Sequence, residues 1–161
     1  MEYLLKYLLL FCLFFSSLLA QSELSLKTIK FSGELKPNIK KRVSIKTIES
    51  LGIKSFEVLD PYTKIKTKYS GVNLKTFANF FANENTKSIS FNALDGYSVN
   101  ITKKEWEKFH ILLATRINGE LVGYDKKGPL RIVYPKYKKA NENFAKNLPK
   151  WIWMIKSIEF K

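Results

Sequence analysis

Beyond its first twenty residues the chain has no cysteine; the only one, Cys12, sits in the stretch Leu9-Leu10-Phe11-Cys12. No disulfide can hold residues 21–161 together, so packing must do so, and no thiolate is available there to bind a soft metal or attack a substrate. Histidine is almost as scarce, His110 being the only one. A single histidine without cysteine partners is a poor metal ligand. No serine or threonine has a histidine and an acid arranged around it in the manner of a nucleophilic triad. The seven glycines stand mostly singly, which leaves no phosphate-cradling loop. These absences favour a binding protein over an enzyme.

Negative charge is also short. Against 28 lysines and arginines stand 14 acids, for a formal net charge of +14 at pH 7. Such a balance invites a nucleic-acid partner, but only Arg42, Arg116 and Arg131 are arginine. Lysine is a flexible, hydrated point charge, whereas phosphate and base recognition favours the planar guanidinium. The lysines are scattered and mostly alternate with apolar residues, as on solvated faces. No nucleic-acid partner is expected; an anionic ligand or a membrane surface is the alternative use of the charge.

The N-terminus reads as a targeting segment. Lys6 supplies a basic start, Tyr7 to Phe15 form an apolar run, and Ser16, Ser17 and Ala20 are small residues before a cleavage point at Gln21. Residues 1–20 are therefore expected to be a signal peptide and 21–161 a single exported domain, placed in a bacterial periplasm. Leu18 is large for its position before the cut, so an uncleaved N-terminal anchor is the other reading.

Along residues 21–161, Leu24 to Phe31 predicts an opening strand. Ser44 can cap a short helix with Ile45, Ile48 and Leu51 on one face. Ile53 to Leu59 predicts a strand, Asp60-Pro61-Tyr62-Thr63 a turn, and Lys64 to Tyr69 an alternating strand. Asn73 can cap a helix carrying Leu74, Phe77, Ala78 and Phe81. Ile89 to Ala93 and Tyr97 to Ile101 predict a hairpin closed by a two-residue Asp95-Gly96 turn. Thr102-Lys103-Lys104-Glu105 is a capping box for a helix with Trp106 and Phe109 inside. Ile111 to Ala114 suits a central strand, Asn118-Gly119 a turn, and Leu130 to Tyr134 a strand. Trp151 to Phe160 predicts a last aromatic strand. Strands and helices mix without strict alternation, which predicts an α+β domain, a mixed β-sheet or barrel-like core with short helices.

Several of these pieces recur in one order: Gly71-Val72-x-Leu74, then Ala93-x-Asp95-Gly96-Tyr97-Ser98, then Leu112-Leu113-Ala114 with Asn118-Gly119-Glu120-Leu121. Gly128-Pro129-Leu130-Arg131-Ile132-Val133-Tyr134-Pro135 and Trp151 follow. In that order they resemble the oxidoreductase molybdopterin-binding domain, of sulfite-oxidase type fold, over roughly residues 50–160. The resemblance implies a molybdopterin cofactor whose molybdenum is held by a cysteine upstream of the Gly-Val-x-Leu segment. The corresponding stretch here, Ser55 to Asp60, has no sulfur. The chain is also similar to small periplasmic receptors that hold a reduced pterin and report it to membrane-bound enzymes of cyclic-di-GMP turnover. That similarity implies a pterin-like small-molecule ligand, an inner-membrane partner with a periplasmic domain, and no catalytic metal; molybdopterin and oxidoreductase activity are the alternative.

A pterin is flat and has a donor–acceptor edge, so its site needs aromatic faces and a carboxylate or carbonyl acceptor. Asp95 is the first acceptor candidate, although its place before Gly96 is equally explained by turn chemistry. Arg131 in an apolar strand, and Arg116 less strongly, are candidate donors to a ring carbonyl or anionic tail; an outward-facing edge position would also account for Arg131. Tyr97, Trp153, Tyr69, Tyr134 and Trp151 are candidate stacking faces, each also explicable as core. Neither a catalytic residue nor a metal ligand is assigned.

Overall fold

The computed structural model describes residues 27–135 and 147–161. Leu24 to Leu26 of the expected opening strand, the targeting segment and Cys12 lie outside the described residues. Among those described, no helix is long and apolar enough to cross a membrane.

The chain runs β1 (Thr28–Gly33), β2 (Arg42–Ser44), α1 (Ile45–Glu49), β3 (Lys54–Leu59), β4 (Lys66–Asn73), α2 (Leu74–Phe81), β5 (Ser88–Ala93), β6 (Ser98–Thr102) and α3 (Lys103–Lys108). It continues through β7 (Leu112–Ile117), β8 (Glu120–Leu121), a 3-10 turn (Tyr124–Lys126), β9 (Arg131–Val133), a second 3-10 turn (Leu148–Lys150) and β10 (Ile155–Phe160). The strands form two open sheets. The first has the order β2-β1-β10-β5-β6; the second has β3-β4-β7-β8, with β9 pairing on β7. β1 pairs parallel to β10 while the other pairs are antiparallel, so the sheet is mixed. This is an α+β architecture with short helices on mixed sheets, as the sequence predicts.

Local signals explain the starts of the three α-helices. Ser44 Oγ accepts from Thr47 N at 3.1 Å to start α1, and Asn73 Oδ1 accepts from Lys75 N at 2.9 Å to start α2. Glu105 Oε2 accepts from both the N–H and the hydroxyl of Thr102 at 2.9 Å, closing the N-terminus of α3. The apolar face of α2 drives Phe77 and Phe81 into a cluster with Phe31 of β1 and Phe160 of β10, with ring centroids 4.9–6.0 Å apart. Gly71 has a packing cause: a Cβ there would lie 2.1 Å from Leu113 O, where β4 slips register against β7 between Ser70 and Gly71.

Three expectations need correction. The β5–β6 connection is not a two-residue turn: Asn92 pairs with Ser98, Ala93 N bonds Tyr97 O, and Leu94-Asp95-Gly96 form the loop. A two-residue turn of that kind needs φ > 0 at both centres, and here only Gly96 is positive, at +89°. The last strand begins at Ile155, because Trp151 to Met154 follow an irregular path that ends with Met154 at φ +54°. β4 begins at Lys66, which leaves Ile65 exposed at the hairpin tip rather than aligned with Tyr69.

The irregular path of Trp151–Met154 is also where the sheets meet. Ile132 N donates to Ile152 O at 2.8 Å, and Ile155 N donates to Leu130 O at 3.4 Å. These bonds tie β9 of the second sheet to the approach of β10 in the first. The two tryptophans therefore emerge at the junction rather than on a sheet face.

Candidate functional site

The site starts from the turn after β3. Asp60 is buried, and its Oδ1 accepts from the N–H groups of Tyr62 (2.8 Å) and Thr63 (2.9 Å), the local bond that makes aspartate a turn residue. Its Oδ2 accepts from the Tyr69 hydroxyl at 2.5 Å. Tyr69 Oη in turn accepts from Arg131 Nη1 at 3.2 Å, so a carboxylate, a phenol and a guanidinium stand in a row. The remaining N–H groups of Arg131 have no partner among the described residues. Burial would raise the Asp60 pKa, but the bonds from Tyr69, Thr63 and Tyr62 and the Arg131 charge more than reverse it, holding the carboxyl below its ordinary range. Burial, and then the bond to Asp60, push the Tyr69 phenol well above its ordinary value.

Above this row stand the aromatic side chains. Tyr62 packs edge-on against Trp153, with centroids 5.2 Å apart at 89°. Lys127 holds its ammonium 4.7 Å from the Trp153 centroid, and the Arg131 guanidinium lies 5.9 Å from it. Tyr69 meets Trp151 edge-on at 6.4 Å. The segment carrying the tryptophans is fastened by side chains from elsewhere: Tyr62 Oη donates to Leu148 O at 2.9 Å, and Tyr97 Oη to Pro149 O at 2.7 Å. Lys150 pairs with Glu105 at the start of α3.

These groups enclose a cleft of about 250 Å³ walled by Tyr62, Tyr97, Trp151 and Trp153, with Asp95 at its edge. A smaller notch of about 30 Å³ shares Tyr62, Trp151 and Trp153 and is faced by Asp60, Lys127 and Arg131. The volume lies below the roughly 300 Å³ at which pockets for drug-sized ligands begin, which suits a single flat bicycle.

Of the residues singled out from sequence, Asp95, Tyr97, Trp151 and Trp153 come together around the cleft, and Arg131 faces the notch. Asp95 Oδ1 accepts from Tyr97 N at 3.0 Å, and Oδ2 has no hydrogen-bond partner among the described residues. Tyr69 is buried and lines neither space, and its hydroxyl bonds Asp60 and Arg131, which face the notch. Tyr134 is buried and lines neither space; burial raises its phenol pKa, and its hydroxyl has no partner among the described residues. Arg116 lines neither space, because it is committed to a two-bond pair with Glu49 at 2.9 Å for each contact, with a further bond to Gly119 O at 3.2 Å.

Sequence reasoning missed Asp60, Tyr62 and Lys127. Asp60-Pro61-Tyr62-Thr63 carries only a turn signal, and nothing local says that the turn folds onto tryptophans some ninety residues later in the chain.

The fold and its site define a small α+β domain with an aromatic cleft where its two sheets join. A family model, the oxidoreductase molybdopterin binding domain, matches residues 35–161, and the chain belongs to that family. Comparison with curated proteins gives no match.

The family's cofactor unites a pterin with a metal centre, and the residues present fit those two parts unequally. Aromatic walls and an arginine with spare donors suit the pterin ring. For the metal, the stretch from Ser55 to Asp60 offers no sulfur, and both oxygens of Asp60 already accept hydrogen bonds. Among the described residues no three His, Cys, Asp or Glu side chains come together as a metal site. Among the described residues the donor set does not fit molybdenum.

Proposed function

We propose that the chain is a non-catalytic, exported binding protein that holds a reduced pterin or a similar flat heterocycle in the cleft. In this reading it works in the periplasm and reports its occupancy to an inner-membrane enzyme of cyclic-di-GMP turnover. The single observation that carries the reading is the pairing of an aromatic cleft with a family scaffold whose described residues hold no thiolate. Tyr62, Tyr97 and the tryptophans supply faces for the ring, Asp95 an acceptor for its amino edge, and Arg131 donors for its carbonyl edge.

The test is to purify the protein from its own host, extract it, and analyse the extract by fluorescence and mass spectrometry. Thermal shift with added tetrahydrobiopterin is the second measurement. A bound pterin, or a rise in Tm with the additive, is expected; neither appearing overturns the reading.

The family match favours a second reading, a molybdopterin-dependent oxidoreductase or an accessory subunit of one. Elemental analysis separates the two. Stoichiometric molybdenum or tungsten supports the enzyme, and pterin without either supports the receptor.

A further inference from the structure

Three loops converge on Trp153 and Met154. Tyr62 of the β3–β4 hairpin packs edge-on against Trp153. Leu94 of the β5–β6 loop donates its N–H to Met154 O at 3.0 Å. Lys127, just after the first 3-10 turn, accepts from Met154 N at 3.2 Å and places its ammonium over Trp153.

Eight large apolar or aromatic side chains are exposed among the described residues, and six lie on these three connections or at their ends: Leu59, Tyr62, Ile65, Leu94, Tyr97 and Tyr124. Ile65 is 63% exposed, and Leu59 and Tyr124 are each 56% exposed. Scattered apolar residues on a surface need no cause, but six gathered at one end of a small domain form a patch that water does not favour.

Charge selects what covers it. Lys64, Lys66, Lys126 and Lys127 stand among the tips, against Asp95, which accepts from Tyr97 N, and Asp125. Lys126 is bonded to Glu120. The tips are thus nearly balanced locally, while the whole chain carries +14. A second copy of the chain would meet net charge of its own sign, whereas an anionic surface meets net charge of the opposite sign. An anionic surface of lipid answers both features. Its negative potential draws the chain in, tyrosine rings settle at the headgroup level, aliphatic tips enter the acyl boundary, and lysine stems reach back to water.

We propose that this end of the molecule docks on an anionic lipid bilayer through the tips bearing Leu59 and Ile65, Leu94, and Tyr124. The proposal does not rest on heterocycle binding.

The test uses the chain from Gln21 onward, which keeps every described element and removes the apolar N-terminal run. It is floated with vesicles of phosphatidylglycerol mixed with phosphatidylcholine, and with vesicles of phosphatidylcholine alone. Binding to the anionic vesicles only, weakened by added salt, is expected. The double variant Leu59→Ser/Ile65→Ser should bind about tenfold more weakly than the parent, and Tyr124→Ser should also lose affinity, each at unchanged Tm. Absence of binding to the anionic vesicles overturns the proposal. So does undiminished binding by the tip variants, which would assign the attraction to lysines elsewhere on the surface.

Discussion

Tyr62 and Tyr97, from hairpin connections of two different sheets, donate their hydroxyls to neighbouring carbonyls, those of Leu148 and Pro149. Each ring therefore both walls the cleft and latches the segment on which Trp151 and Trp153 are carried. Tyr62→Phe and Tyr97→Phe keep the rings and remove only the latches. Each should lower stability by about 1 kcal/mol, and the pair should speed amide exchange at 150–153 more than in β5. Hydrogen exchange read by mass spectrometry checks this.

Asp60, which faces the notch, makes the stability of the fold sensitive to acid. Its folded pKa lies below its unfolded value, so the stability it contributes is full above the unfolded pKa, about 3.9, and is lost as pH falls through the folded one. Glu105, whose pKa burial raises but Lys150 and Thr102 lower further, adds a contribution of the same sign. Stability measured by urea unfolding should therefore decline below about pH 4. Asp60→Asn should make that decline shallower while lowering stability at neutral pH, where the wild-type carboxylate is charged and held.

Arg116 provides a control for the site. Replacing it with alanine leaves Glu49, whose side chain is largely buried, without its two-bond partner. A loss of about 1–3 kcal/mol is expected, with the thermal shift on tetrahydrobiopterin unchanged. Under the proposed function, Arg131→Met and Trp153→Ala should instead abolish that shift, while Trp153→Phe retains part of it. A ligand titration on all four variants distinguishes these outcomes.

Gly71 tests the packing that underlies the family's Gly-Val-x-Leu motif. Its missing Cβ leaves room for Leu113 O, and the other atoms that a Cβ would meet are backbone of β7 as well. Gly71→Ala should cost about 3 kcal/mol or more, seen as a lower Tm or loss of soluble protein.

The elements were legible where local chemistry governs them. Ser44, Asn73 and Thr102 with Glu105 mark helix starts because their side chains satisfy backbone donors within a few residues, and the alternation of Ile89, Phe91, Val99 and Ile101 marks a half-buried hairpin. The site was only partly legible. Asp95, Tyr97 and Trp153 drew notice by motif order, and the cleft does gather them. Arg116 resembled Arg131 in sequence, and only the arrival of Glu49 from α1 separates their roles. Asp60 and Tyr62 were hidden because their partners Tyr69, Trp153 and Leu148 reach them through tertiary folding. Trp151 and Trp153 alternate as strand residues do, yet the bonds from Ile132 and Ile155 bend that stretch around the sheet junction.

The place of β10 has a bearing on how the protein is made. It lies between β1 and β5, flanked on both edges, and is synthesised after every strand it joins. Until Ile155–Phe160 has emerged from the ribosome, β1 and β5 have nothing between them, and Phe31, Phe77 and Phe81 lack Phe160. A nascent chain of this sequence cannot complete its first sheet or its phenylalanine cluster until that strand appears.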